Sequence, residues 1–543
     1  MKRLISMILA CCLLLAIAPA VYAAEEYTDV PQDSWAADYI VSARQQGLMQ
    51  GQGRGTFGYG KTVTNAEFAS MLCKSMAWKT VTPVQPTYTD VQPGDWYYQS
   101  VETAYANGAF NQAAAFHPQA PITRAEMATA FVRALGLEAA ALLEELQPNS
   151  FSDVTANKGF INVAKTIGLL EGKSPTAFNP NDSVKREEAA ALLVRFYEKY
   201  NAKTDFVHGY YAISSYSQRD LALTMDAVTY QWGVMTESGI LDTAGTMDKQ
   251  LRIPDGYESI LNYLNGKPKQ HLGVYMDMTH GLEAMLLDPE KRTTAVASIL
   301  AELNRTYDMV GKNPYSGVSI DFEGMKGEAL KQAFNTFLTE LSAQLKAAGR
   351  TLYVCVPPAL SDGIYYDGYD FKSIGRLADK VILMAHDYDA ASLKGYEGTK
   401  WHEKMALTPI GQVYYALKHA TNPQTGVEDP GKLALALSFA YVGWYIDENG
   451  ELVSATPVNL SPSRTAEVLQ MPQTQKFFSE TYRNPYLIYQ TENGERIFLW
   501  YENEQSVAEK LALAKCFGIT GVSLWRLGTI PNTTGYDVTG SYT

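Results

Sequence analysis

Tyr315-Ser316-Gly317-Val318-Ser319-Ile320-Asp321-Phe322-Glu323-Gly324 is the stretch from which the rest of the sequence can be organised. Its side chains alternate with the period of a strand: Val318, Ile320 and Phe322 share one face, and Ser319, Asp321 and Glu323 share the other. Downstream, Leu330, Phe334, Phe337, Leu341 and Leu345 fall on one face of a helix, and Gly349 supplies its stop. One strand-helix unit is thus legible from end to end. Further strands are predicted at 208–213, 227–232, 271–276, 351–357, 380–386, 432–438 and 518–525, alternating with helical patterns. With 317–322 they number eight, which predicts an α/β fold, a (β/α)8 (TIM) barrel over 205–543 with room for insertions around 444–474. In such a barrel, chemistry belongs at the carboxyl ends of the strands.

Asp321 and Glu323 converge on one strand end. Two carboxylates held that close cannot both ionise freely, so one stays protonated near neutral pH and can act as a general acid. Glu323, nearer the mouth, is the expected acid. Tyr365, Tyr366 and Tyr369 after the fifth strand, and Trp444 and Tyr445 after the seventh, are candidates to line a saccharide groove or to pack loops. His271, His280, His402 and His419 show no metal-ligand spacing, so no metal site and no cofactor is expected. No phosphate loop and no nucleophile elbow occurs. Cys355, inside an apolar strand, reads as buried.

The N-terminal third is repetitive. Tyr27-Thr28-Asp29-Val30, Tyr88-Thr89-Asp90-Val91 and Phe151-Ser152-Asp153-Val154 recur at intervals of 61 and 63 residues. Six residues after each Asp stand Trp35, Trp96 and, out of pattern, Gly159. A second signature closes each unit: Thr64-Asn65-Ala66-Glu67, Thr123-Arg124-Ala125-Glu126 and Lys185-Arg186-Glu187-Glu188. Thr with Glu three residues on predicts a capping box in the first two copies, and each unit reads as helix, loop, helix. The expected repeat boundaries are 24–83, 84–146 and 147–200.

Residues 1–23 read as a secretory signal peptide: Lys2 and Arg3, an apolar run from Leu4 to Ile17, Pro19, then a small-residue end at Ala23. No later run is apolar enough to span a membrane. The 543 residues carry Lys+Arg 45 against Asp+Glu 58, a formal charge of −13, too acidic for general nucleic-acid binding. Five cysteines, two of them in the leader, leave an odd count without CxxC spacing and argue against a disulfide framework.

The threefold signatures resemble the S-layer homology (SLH) module. That resemblance implies an all-α, pseudo-threefold domain that attaches an exported protein to an anionic secondary wall polymer, with Arg124 and Arg186 binding charge and Trp35 and Trp96 stacking on sugar. Asn65 and Gly159 depart from the pattern, so fewer grooves are expected than an intact triplet gives. The barrel resembles family 18 glycoside hydrolases, in the peptidoglycan-active, spore-cortex-lytic branch. Ser316 to Glu323 matches the last two acids and the Gly of that family's fourth-strand motif, with Ser316 and Ser319 in place of its first two Asp. Met384-Ala385-His386-Asp387 is similar to the sixth-strand motif with His386 in the Tyr place, Gly521 to Trp525 to the eighth strand, and His208-Gly209-Tyr210-Tyr211 to the first. The resemblance implies retaining, substrate-assisted cleavage of β-1,4 bonds in glycans containing N-acetylglucosamine, peptidoglycan or chitin-like. Glu323 would be the acid and base, and Asp321 would orient the acetamido group. Tyr210, Met384, Asp387 and Trp525 would contact sugar, with either His386 or Tyr388 beside them. The alternative is a non-catalytic wall or scaffold protein whose degenerate barrel grips glycan.

Overall fold

A computed structural model describes residues 27–305, 313–361 and 367–543. The predicted leader therefore lies outside the described residues, as do Tyr365 and Tyr366. The chain forms two compact units: the described residues up to Met127 with Pro180–Tyr197, and Ala128–Asn179 with Glu198–Thr543. No helix among the described residues is long and apolar enough to cross a membrane.

The first unit is helical, and its repeat signatures do local structural work. Thr64 caps α1 (Asn65–Ser75): its side chain accepts from the Glu67 amide while the Glu67 carboxylate accepts from the Thr64 amide, the reciprocal box the sequence predicts. Thr123 and Glu126 repeat it at α2 (Arg124–Ala134). The loops before the capped helices close a ring of three backbone bonds, Val63 N–H to Val184 O, Val184 N–H to Ile122 O and Ile122 N–H to Val63 O, the expected pseudo-threefold relation. The repeated Asp is an anchor. Asp29 accepts the amides of Phe57, Gly58 and Tyr59, and Asp90 those of Phe116 and His117. In the second unit Asp153 does the same for Phe178 and Asn179.

Helix α3 (Glu138–Glu145) packs on α4 (Lys158–Thr166). The contact explains why Gly159 stands where the repeat calls for Trp: a Cβ there would lie 2.0 Å from the Ala141 carbonyl oxygen. Gly159→Ala is expected to destabilise this unit by about 1–3 kcal/mol or more through overpacking, read from the urea midpoint. On its other side α3 meets α5 (Ile410–Ala420) of the barrel, where the buried Glu144 accepts from Tyr414 (3.2 Å) and Lys418 (2.5 Å).

All eight expected barrel strands form: β1 Phe206–Tyr211, β2 Ala227–Met235, β3 Lys269–Met276, β4 Gly317–Phe322, β5 Thr351–Val356, β6 Lys380–Leu383, β7 Leu433–Ser438 and β8 Gly521–Trp525. They run parallel in sequence order, and β1 pairs with both β8 and β2, so the sheet closes. Nearly every strand residue is buried, because helices cover the outside while side chains fill the inside. Helix Glu328–Ala347 buries the five predicted apolar positions, and Gly349 takes φ +65° at its end. Strand β6 stops three residues earlier than predicted, because the Ala385 amide turns back onto Leu383 O (2.9 Å) and leaves the ladder, and Asp387 beyond it takes a left-handed backbone (φ 57°). Between β7 and β8 the expected insertion is a five-stranded antiparallel sheet spanning 442–500.

The barrel interior is layered. Low down, the His208 imidazole bonds Ser523 and Thr229, both at 2.8 Å, and His271 bonds Thr351 at 2.7 Å and stacks on Tyr353. Burial holds His208 uncharged, with its pKa lowered to about 3. Above them Tyr210, Cys355, Met384 and Trp525 form the last apolar layer beneath the mouth.

Candidate active site

Asp321 and Glu323 stand at the carboxyl end of β4, where the barrel rule puts chemistry. Asp321 is buried at 5% exposure and Glu323 half-buried. The strand end is pinned from both sides: the Glu323 amide donates to Met276 O (2.8 Å), and the Tyr369 hydroxyl to Phe322 O (2.5 Å). Tyr369 is thereby a buried brace and not a groove residue, and Trp444 is likewise fully buried in the core of the inserted sheet. Both correct the groove expectation. A loop aromatic satisfies its polar tip on a carbonyl or its ring in a core wherever one lies within reach.

Burial raises the Asp321 carboxyl to about 6, opposed by the Gln231 amide, the nearby His386 and the Cys355 thiol. Burial raises Glu323 further, to about 7, and Asp321 adds to the rise while His386 opposes it. Both carboxyls are thus held above the usual carboxylate range, the condition under which one of a close pair keeps a proton to give while the other carries charge.

The remaining predicted contacts gather around this pair. Tyr210 donates or accepts at the Cys355 sulfur (2.7 Å) and lies edge-on to Trp525, ring centroids 5.2 Å apart. His386 bonds Asp387 through Nδ1 at 2.8 Å. Burial works against charge on this imidazole, but Asp387, with Glu323 and Asp321 beyond it, raises its pKa. Asp387 is pushed the other way: burial would raise it, but His386 and Ser438 hold it low. Tyr388 is partly buried, and its hydroxyl has no partner among the described residues.

The sequence reading missed three members of the site. Asp277, just past β3, accepts from Thr279, His280 and Tyr275, which outweigh its burial and lower it to about 2, a fixed negative charge near Glu323. Tyr275 pairs with Asp321 across the β3–β4 ladder. Gln231, on β2, points its amide at Asp321. An Asp-x-Thr-His turn after a strand was the signal available for the first. Among the described residues no cluster of His, Cys, Asp and Glu is arranged to hold a metal ion.

The wall-binding candidates divide. Trp35 and Trp96 are exposed, at 58% and 66%. Arg186 is buried, and its guanidinium donates to Phe57 O, Gln50 O and Glu67. Arg124 is buried at 5% exposure. Asn65, which stands in the Arg place of the first repeat, reaches Phe116 O and His117 O, the loop next along.

The site is thus a pair of raised carboxyls above an aromatic floor at the mouth of a closed parallel barrel, in the class of (β/α)8 barrel domains. Residues 271–529 match the family described as glycosyl hydrolases family 18, and residues 26–69, 87–128 and 150–190 match the S-layer homology domain. The chain carries three S-layer homology repeats followed by a family 18 glycoside hydrolase domain. It is 27% identical over 215 residues to the cortical fragment-lytic enzyme of Bacillus anthracis, covering 39% of this chain and 46% of that one. It is 34% identical over 214 residues to a surface layer protein of Brevibacillus choshinensis, covering 38% of this chain and 18% of that one. The chain thus spans less than half the length of either. A chitinase structure from Chromobacterium violaceum aligns over 62% of this chain and 97% of its own, with a TM-score of 0.49 and 19% identity.

Proposed function

We propose that the protein is an exported, wall-attached hydrolase that cleaves β-1,4 bonds next to N-acetylglucosamine in peptidoglycan or a chitin-like polymer, with retention of configuration. The observation that carries this reading is the Asp321 and Glu323 pair, both raised toward neutrality at the mouth of a family 18 barrel. In the substrate-assisted route no carboxylate nucleophile is needed, since the sugar's own acetamido oxygen attacks the anomeric carbon and an oxazolinium forms. Glu323 protonates the departing oxygen and then takes a proton from water. Asp321 faces the acetamido nitrogen as it gains positive charge. Trp525 and Tyr210 floor the site, Met384 lines it, and His386, Asp387 and Tyr388 wall it beyond β6. Peptidoglycan is favoured over chitin by the likeness to a cortical fragment-lytic enzyme.

The rival reading, a glycan-gripping barrel without turnover, draws on Ser316, Ser319 and His386 in place of the family's residues. Retention of both acids with shifted pKa values supports catalysis over it. Mass spectrometry of products from digested peptidoglycan and chitin oligomers tests the choice, because it reports the bond cut, the end released and the acetylation required. No product from any N-acetylated glycan would favour the rival.

For attachment we infer that Trp35 and Trp96 supply the stacking surfaces toward wall polymer. Arg186 serves by holding the first repeat's loop in shape, with its charge spent on Glu67 and two carbonyls. Trp96→Ala is expected to weaken binding to purified wall sacculi about tenfold at unchanged thermal stability, in keeping with the loss of one ring that stacks on sugar. Arg186→Ala is expected to lower thermal stability as well, since it leaves buried partners unpaired.

A further inference from the structure

We propose that Gln231 is a positioning residue for Asp321, an amide whose NH2 holds that carboxyl in place in its ionised form. The proposal rests on the hydrolase reading above for its chemistry. Gln231 is a polar side chain inside an aromatic strand and is 2% exposed, so its amide needs a partner. The partner it has is Asp321: Gln231 Nε2 donates to Oδ2 at 3.5 Å. The other atoms of the pair, Gln231 Oε1 and Asp321 Oδ1, are buried with no partner among the described residues. A half-turn of the amide exchanges its donor and acceptor ends. As placed, the NH2 end faces the carboxyl and suits the carboxylate.

The backbone is arranged for this contact. Between β2 and β3 the register shifts, so that Gln231 and Trp232 stand opposite the single Gly273, the kind of bulge that re-aims a side chain. A Cβ at 273 would come 2.5 Å from Gln231 Oε1, so the glycine keeps the amide's space open. Ser319 does not compete, since its hydroxyl lies toward the Cys355 sulfur at 3.9 Å.

The groups that face Asp321 are Tyr210 from β1, Tyr275 from β3, Ser319 and Glu323 on β4, Cys355 from β5, and His386 with Asp387 after β6. Gln231 and Ser319 carry no titrating group, and Gln231 is the one that donates to Asp321. Its bond to the carboxylate lowers the Asp321 pKa without competing for the proton, which leaves the proton on Glu323. Deleting the donor removes a preference for the ionised form, so Asp321 must move up toward Glu323, and the pH range in which one is charged and the other protonated narrows.

The test compares wild type, Gln231→Met and Gly273→Ala by carbon-13 NMR titration of the side-chain carboxyls and by kcat/KM against pH on N-acetylated glycan oligomers. Gln231→Met is expected to raise the Asp321 ionisation by about one pH unit, shifting the acid limb with it. At a pH below the shifted limb, kcat/KM falls about tenfold. Gly273→Ala keeps the amide but displaces it, and is expected to move Asp321 in the same direction. An Asp321 titration unmoved in the folded variants overturns the proposal, and should Gln231→Met or Gly273→Ala not fold, Gln231→Asn, which withdraws the amide by one methylene, decides. A wild type that cleaves no glycan counts against the hydrolase reading, while the NMR titration still judges Gln231 by itself.

Discussion

Replacing Glu323 by Gln is expected to lower hydrolysis of N-acetylated glycan about a thousandfold while the barrel stays folded. The amide keeps the size and nearly the shape of the acid but has no proton acidic enough to give to a departing sugar oxygen. The bonds that hold the position are untouched by the change, because none of them uses the Glu323 side chain: the Glu323 amide donates to Met276 O, and the Tyr369 hydroxyl to Phe322 O. Reducing-sugar release measures the loss, and far-UV circular dichroism checks the fold. Turnover at the wild-type rate would exclude Glu323 as the acid and would return the choice to Asp321 or His386. Asp321→Asn is the informative companion. An amide there still faces the acetamido group but cannot balance positive charge on it, so the rate falls without loss of the Glu323 proton.

What the sequence made legible follows from where periodicity is strong. The strand at Gly317–Phe322 was readable to the residue and the helix after it by its buried face, because a period of two gives way to a period of 3.6 across a Gly-rich turn. The acid pair came with the strand. The end of β6 was misread, since Met384, Ala385 and His386 continue an apolar pattern and nothing in the letters reveals that Asp387 turns left-handed. Gln231 went unnoticed because a single polar letter in Tyr230-Gln231-Trp232 reads as the solvent side of a strand, whereas here it faces the barrel interior opposite a glycine. Gly159 was visible as a broken repeat, but its cause, the approach of α3, is a tertiary fact. Arg186 shows the same limit. Its spacing marks it out, but the bonds its guanidinium makes to Phe57 O, Gln50 O and Glu67 do not follow from that spacing. Sequence pattern reports which face a residue takes; it does not report what stands opposite.

Lys510→Met is expected to cost about 3–5 kcal/mol of stability, the second large effect, and it lies away from the catalytic pair. Lys510 sits on helix Glu504–Cys516 with its side chain fully buried, and Glu502, just before that helix, is 1% exposed. The two lie eight residues apart, a spacing that no helix-surface pairing rule flags. The ammonium donates to both Glu502 oxygens, at 3.0 and 2.8 Å, while Asn484 (2.8 Å) and Ser506 (2.5 Å) take the remaining positions. Removing the lysine leaves a carboxylate deep in the protein with two neutral donors, and the desolvation it then bears unbalanced is what drives the loss. Denaturant titration at neutral pH reads the change from the midpoint, provided the slope is unaltered. The double variant Glu502→Leu/Lys510→Met is expected to recover much of the loss, because it removes the stranded charge along with its partner. A single Lys510→Met variant within 1 kcal/mol of wild type would mean that water reaches Glu502, and would remove this pair from what holds the last helix against the barrel.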